Sequence, residues 1–142
     1  MKKVLIAVDG SPHARHAIDA LARLTGAGTL PEVVLVNVRA WPLLLGDVAA
    51  ASLEQIEASE RLRQEQLLDE AAAQARAAGL VVSAKVTAVG EAAGEIVRVA
   101  QEHQVDQIAL GTRGMGAVRS FVIGSVAQRV VHLSQVPVLL VK

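Results

Sequence analysis

The sequence predicts an α/β fold in which a parallel sheet is covered by helices on both faces. Segments typical of buried strands alternate with segments typical of helices along the chain, in the order β-α-β-α-β-α-β-α-β. Apolar residues make up 52% of the chain and are mostly Ala, Val and Leu, which suits helices packed closely on such a sheet. Strands joined through helices imply right-handed crossovers. We expect a single domain over residues 1–142, because domains commonly contain about 100–150 residues.

The first strand and helix have clear boundaries in the sequence. Residues 4–8 form a continuous apolar run, which indicates a strand buried on both faces. Ser11 supplies an N-cap and Pro12 a first-turn proline for the helix that follows. Apolar residues then recur at helical spacing until Gly26, where we expect the helix to end.

The second strand is predicted at residues 33–38, where the apolar residues are again nearly continuous. The spacing of Ser52 and Gln55 matches a capping box and predicts that a long helix begins there. The third strand, residues 80–89, alternates more clearly and is expected at an edge of the sheet. The predicted inner face of this strand comprises Val82, Ala84, Val86 and Ala88.

The last part of the chain contains the remaining two pairs of elements. Gly90 leads into an amphipathic helix, and residues 108–110 form a short strand followed by a glycine-rich loop at 111–116. The pair Gly124-Ser125 begins the last helix. Residues 136–141 form the last strand and would leave an apolar edge that recruits a partner.

Composition excludes several functional classes. The formal net charge is zero, from 14 basic and 14 acidic residues, and no basic block suggests a nucleic-acid surface. The absence of cysteine excludes disulfides, thiolate metal sites and thiol catalysis. The apolar run after Lys3 is too short for a signal peptide or a membrane span, so we expect a cytoplasmic protein without membrane contact.

The loops after the first and fourth strands are the expected ligand site. In open parallel sheets, ligands bind beyond the carboxyl ends of strands where the strand order reverses. Asp9 follows the first strand, and the glycines of 111–116 allow backbone N–H groups to surround an anion. Gly124-Ser125 lies at a helix amino terminus, which also favours an anion, and Arg113 can add positive charge.

Two well-known phosphate motifs do not fit this loop. Gly111 and Gly116 have P-loop spacing, but Ala117-Val118 stands where Lys-Ser/Thr is required. The third glycine of a dinucleotide fingerprint is replaced by Arg119.

The spacing Gly111-x2-Gly114-x9-Gly124-Ser125 instead resembles the signature of ATP-binding universal stress proteins. The run at residues 4–11 and the run at 137–141 match the same family in the same order. The resemblance implies a three-layer, Rossmann-like fold of the adenine nucleotide alpha hydrolase-like type, with five strands in the order 3-2-1-4-5. It also implies ATP, ADP or AMP as ligand, with or without Mg²⁺, and a homodimer formed through residues 136–141.

The same resemblance assigns roles to eight residues by position. Asp9 matches an acidic residue near the ribose, and Val38 matches a backbone contact to adenine. The expected phosphate and ribose contacts are Gly111, Arg113, Gly114, Gly124, Ser125 and Val126. No catalytic residue and no protein metal ligand is predicted.

Three functions remain open at this point. The first is a nucleotide-dependent sensor or regulatory protein of the stress response, which binds ATP without efficient turnover. The second is a weak Mg-dependent ATPase; Asp9 is the only acidic residue clearly in the predicted site, whereas phosphoryl transfer needs a base and a metal-holding carboxylate. The third is a dimeric interaction module whose nucleotide pocket is vestigial.

Overall fold

Five parallel strands form one sheet in the order β3-β2-β1-β4-β5. The computed structural model describes residues 2–26, 28–42, 49–112 and 123–142. Helices and strands alternate: β1 Lys3–Ala7, α1 Pro12–Thr25, β2 Glu32–Arg39, α2 Ala50–Ala77, β3 Val81–Val89, α3 Ala92–Glu102, β4 Gln107–Gly111, α4 Ser125–Leu133 and β5 Val138–Val141. The strand order implied by the sequence resemblance is confirmed.

The central strand β1 is paired on both sides. Leu5 is opposite Val34 of β2 and Ile108 of β4, and Val4, Leu5 and Ile6 are fully buried. These residues lack polar alternation because helices cover both faces of the sheet at this point.

Two apolar clusters hold the three layers together. On one face, α1 and α2 contribute Ile18, Leu21 and Leu68 to the core. On the other face, α3 and α4 contribute Ile96 and Val130. Alanines at many of the contacts, such as those of α2, allow the helix backbones to lie close to the strands. The helices of these two layers begin at the carboxyl edge of the sheet.

The edge strand β3 departs from the sequence prediction at a bulge. Val33 of β2 is opposite Val82, but the next residue, Val34, is opposite Ala84. The extra residue places Val82 in the α1–α2 cluster, whereas Ala84 and Val86 pack in the α3–α4 cluster. The prediction that Val82 shares a face with Ala84 and Val86 is therefore wrong, because a bulge moves the side chains that follow it to the opposite face.

Two other boundaries differ from the sequence prediction. The helix α2 begins at Ala50, and the Ala49 carbonyl accepts hydrogen bonds from the Ser52 and Leu53 N–H groups at 3.0 and 3.1 Å. Ser52 therefore lies inside the first turn and is not the N-cap. The strand β5 begins two residues later than predicted, because the Ser134 hydroxyl donates to the Val136 carbonyl in a turn. None of the helices in the described ranges is long and apolar enough to span a membrane.

Asp106, just before β4, is hydrogen-bonded to the start of the central strand. Its carboxylate accepts hydrogen bonds from the Lys2 and Lys3 N–H groups, both at 2.8 Å, and its own N–H donates to the Lys3 carbonyl. The two backbone hydrogen bonds favour the charged carboxylate and hold the pKa of Asp106 below its usual value.

We expect Asp106→Ala to lower stability at neutral pH and to have little effect in strong acid. The carboxylate stabilises the fold above its unfolded-state pKa of 3.8, and this contribution is lost as pH falls through the lower pKa of the folded state. Urea unfolding at pH 7 and at successively lower pH measures the difference. Asp69→Ala, which removes an exposed aspartate paired with Lys85, is the control. A difference that does not shrink in acid would contradict this account.

Candidate functional site at the carboxyl edge of the sheet

A cavity of about 340 Å³ lies where the strand order reverses between β1 and β4. We call it the edge cavity. It is formed by the ends of β1, β2 and β4 and the first turns of α1, α3 and α4, and its lining residues are Ala7, Val8, Asp9, Ser11, Ala14, Val36, Val38, Ala92, Ile96, Leu110, Gly111, Thr112, Gly124, Ser125, Val126 and Ala127. Its volume is within the usual range for small-molecule sites.

Six of the eight predicted site residues line this one cavity. They are Asp9, Val38, Gly111, Gly124, Ser125 and Val126, and they come from four separate segments of the chain. Arg113 and Gly114 lie outside the described residues. The fold therefore brings together every predicted residue that the structure describes.

The turn after β1 fixes the position of Asp9. Its carboxylate accepts a hydrogen bond from the Ser11 N–H at 2.8 Å, and Gly10 between them has φ +82°. Ser11 is itself buried, and its hydroxyl accepts from the Ala14 N–H at 3.2 Å, which caps α1. The Asp9 side chain is thus held at the cavity while remaining exposed.

The two glycine-containing segments meet at one end of the cavity. The Gly124 N–H donates to the Thr112 carbonyl at 2.6 Å, and the Thr112 N–H donates to the Val141 carbonyl at 2.8 Å. These bonds join the residue after β4 to the N-cap of α4 and to β5. Residues that are twelve positions apart in the sequence therefore lie side by side.

The amino terminus of α4 is the part of the cavity best suited to an anion. Three helices begin at the cavity, and two of them are capped by side chains: α1 by the Ser11 hydroxyl and α3 by the Glu91 carboxylate, which accepts from Ala93 and Gly94. Gly124 caps α4 without a side-chain hydrogen bond, and Ser125 and Val126 follow it along the cavity wall. Unpaired N–H groups and the helix dipole favour negative charge at such a position.

The other end of the cavity is apolar. It is formed by Ala7, Val36 and Val38 from the first two strands and by Ile96 from α3. Among the described lining residues, Asp9 has the only ionisable side chain. The cavity thus combines an apolar compartment, one carboxylate and one helix amino terminus.

Gly111 has a packing role that sequence reasoning did not find. A Cβ atom at this position would lie 2.5 Å from the His13 Cβ and 2.9 Å from the His13 carbonyl carbon. Such distances are too short for carbon atoms, so α1 can cross the end of β4 only because Gly111 has no side chain.

The family model described as the universal stress protein family matches residues 1–142. The chain belongs to this family. A universal stress protein of Thermus aquaticus, named for its position in the QAH/OAS sulfhydrylase 3'region, is 31% identical, and the match covers 99% of this chain and 98% of that protein.

Solved structures agree with the family assignment. The hypothetical protein MJ0577 has the same fold, with a TM-score of 0.76 at 24% identity, covering 99% of this chain and 95% of that one. A universal stress protein from Archaeoglobus fulgidus, solved in complex with dAMP, has a TM-score of 0.62 at 26% identity and covers 100% of this chain and 98% of its own.

Sequence reasoning missed the contribution of α3 to the cavity of this universal stress protein. It directed attention to the loops after β1 and β4, whereas Ala92 and Ile96 form part of the wall. The available signal was Gly90, which has φ +147° and immediately precedes the N-cap of α3, Glu91, at the same edge of the sheet. In the part of the chain that the structure describes, no group of three His, Cys, Asp or Glu side chains could hold a metal ion.

We expect Gly111→Ala to destabilise this universal stress protein by about 1–3 kcal/mol, because the new methyl group forces α1 away from β4. Thermal or urea unfolding measures the loss. Gly28→Ala is the matched control, since the nearest atom to its added Cβ is the Thr25 carbonyl oxygen at 3.6 Å. Equal stability of the two variants would contradict the packing role of Gly111.

Proposed function

We propose that this universal stress protein binds an adenine nucleotide in the edge cavity, ATP or else ADP or AMP, and acts as a nucleotide-dependent regulator of the stress response in the cytoplasm. The observation that carries the proposal is the hydrogen bond from Gly124 to Thr112, which brings the uncapped start of α4 to one end of an apolar cavity. A nucleotide has the matching division into an anionic end and a planar base.

The phosphate groups are proposed to lie at the α4 end. The N–H groups at the start of α4 and the Ser125 hydroxyl would donate to phosphate oxygens. The Gly124 N–H is already bonded to Thr112, so we propose that Gly124 contributes through its small size. The proposed phosphate and ribose contacts are Gly111, Arg113, Gly114, Gly124, Ser125 and Val126.

The nucleoside is proposed to occupy the apolar end. Val38 would contact adenine through its backbone, and the Asp9 carboxylate would accept a hydrogen bond from a ribose hydroxyl. The Archaeoglobus fulgidus relative solved with dAMP supports an adenine nucleotide as the class of ligand. The near-neutral, largely apolar lining on this side is suited to a stacked or inserted base.

Regulation is a better description of the proposed function than efficient catalysis. Phosphoryl transfer usually combines a base or water-positioning group with carboxylates that hold Mg²⁺. The described cavity wall offers the single carboxylate of Asp9. We propose that Mg²⁺, where it accompanies ATP, is held mainly by phosphate oxygens and water, with slow hydrolysis as the upper limit of activity.

The variant Ser125→Asp separates binding from stability. We expect ATP affinity to fall at least tenfold, equivalent to about 1.4 kcal/mol, because the new carboxylate competes with phosphate for the α4 N–H groups. Stability without ligand should be unchanged or higher by about 0.3–1 kcal/mol, since an acidic residue in the first turn favours the helix. Isothermal titration calorimetry and thermal unfolding give the two values.

Gln101→Glu makes the same change of charge at an exposed position of α3 and should leave ATP affinity unaltered. Undiminished binding by Ser125→Asp would refute the proposed phosphate site. If ATP binds, a concentration 100 times an assumed Kd should stabilise the wild-type protein by about 2.7 kcal/mol. The absence of this stabilisation would favour the interaction-module alternative.

We also propose a homodimer formed through residues 136–141. In the described part of the chain, β5 pairs with β4 on one side only, and all four of its residues are half-buried. The carbonyls of Pro137 and Val141 accept hydrogen bonds from Ile108 of β4 and from Thr112 just after it. The alternate residues Val138 and Leu140 therefore direct their backbone groups to the other side. Such an edge is available to a second copy of the chain.

The variant Leu140→Pro tests this dimer. Proline removes one N–H from the outer edge of β5 and leaves the hydrogen bonds to β4 in place, so we expect a monomer by analytical ultracentrifugation. Leu140→Val keeps the N–H and should remain dimeric. A dimer of unchanged affinity in Leu140→Pro would exclude pairing through this edge.

A further inference from the structure

We propose that Gln64 and Asn37, two buried amides outside the edge cavity, are positioning residues that hold the nucleoside end of the cavity in its binding geometry. The inference rests on the proposed nucleotide function. It concerns how the ends of three strands are fixed relative to one another and to α2.

Gln64 connects α2 to two strands at once. Its side chain is 3% exposed, and its amide nitrogen donates to the backbone carbonyls of Asn37 in β2 and Ala88 in β3, both at 3.0 Å. Its amide oxygen accepts from the Arg39 Nε at 3.1 Å. Both N–H groups of the Gln64 amide are therefore bonded to strand carbonyls, and its oxygen is bonded to Arg39.

Asn37 continues the network to the central strand. Its side chain is 6% exposed, and its amide nitrogen donates to the Val8 carbonyl at 2.6 Å. Val8 is the residue immediately before Asp9, so this bond fixes the point at which the chain leaves β1 for the proposed ribose contact.

Packing alone does not explain an amide at position 64. Gln64 is followed along the same buried stripe of α2 by Leu68, Ala71 and Ala75. An apolar side chain would fill the position without the need to satisfy buried polar atoms. Both N–H groups and the oxygen of the Gln64 amide are instead hydrogen-bonded. Arg39 extends the network to the carboxylate of Glu57, about two turns earlier in α2. The amide is therefore placed to control strand geometry.

The network acts on the nucleoside end because of its position in the sheet. Asn37 lies between Val36 and Val38, which line the edge cavity from the opposite face of β2. The side chain of Asn37 thus bonds on one face while its two neighbours form the cavity wall on the other. Within the described residues, the hydrogen bonds that make up this network do not involve Thr112 or α4. Loss of the network should change the base and ribose contacts and leave the phosphate contacts as they are.

The test compares the near-isosteric variant Gln64→Met with Leu68→Met in the full-length protein. Leu68 is buried one turn further along α2 and makes no bond in the network. We expect Gln64→Met to weaken ATP and AMP binding roughly tenfold, the effect of losing one or two hydrogen bonds, in titration calorimetry. Its affinity for inorganic tripolyphosphate, measured by competition with ATP in the same protein, should change less than twofold. Leu68→Met should alter neither affinity.

Arg39→Met provides a second variant if Gln64→Met does not fold, because it removes the outer bond to Gln64 while the two carbonyl contacts remain. We expect this variant to lower the affinity for AMP by a few-fold and to leave the affinity for tripolyphosphate unchanged. The positioning role would be overturned if the affinities for AMP and tripolyphosphate fell equally, or if a folded variant kept its affinity for AMP. Failure of the wild-type protein to bind any of ATP, ADP and AMP would instead refute the proposed function, so the two outcomes are distinguishable.

Discussion

The double pairing of β1 is the constraint on which the edge cavity depends. β1 is hydrogen-bonded to β2 on one side and to β4 on the other. The helix that follows β1 is α1, on one face of the sheet, and the helix that follows β4 is α4, on the opposite face. A gap opens at the carboxyl ends of these strands because no crossover covers it. The turn at Asp9, the end of β2 and Thr112 after β4 all border this gap. The location of the cavity is thus a property of topology, and its chemistry is added by individual residues.

Helix capping divides that cavity into chemically different ends. The Glu91 carboxylate already occupies the amino terminus of α3 and is paired with Arg129 of α4 at 3.1 Å. The Ser11 hydroxyl similarly satisfies α1. The start of α4 lacks such a side chain, so the electrostatic attraction for an anion is concentrated on one wall. This division arises from three local choices of N-cap residue and requires no cluster of basic side chains.

The sequence predicted the strand topology, and which residues would border one cavity, better than it predicted the contacts that position these residues. The continuous run at 4–8 depends on local chemistry and could be interpreted directly, and the glycine spacing from Gly111 to Gly124 could be matched to a family signature. The bulge at Val82, the hydrogen bonds of Gln64 and the contact between Gly111 and His13 depend on partners distant in the chain. The periodicity of apolar residues predicts which side chains face inwards, but it does not predict which residues they contact. The polar Asn37 inside a buried strand was the one visible sign of the network.

The glycines of the family motif therefore have more than one physical origin. Gly111 is required because α1 passes over it with the His13 Cβ 2.5 Å from where its own Cβ would be. Gly124 has φ −61° and ψ 157°, a conformation open to other residues, and its N–H is bonded to Thr112. Backbone strain thus does not explain glycine at 124, whereas a close approach of the proposed nucleotide would. Gly111 thus maintains the packing of α1 on the sheet that forms the cavity, whereas we assign Gly124 to the close approach of the proposed nucleotide.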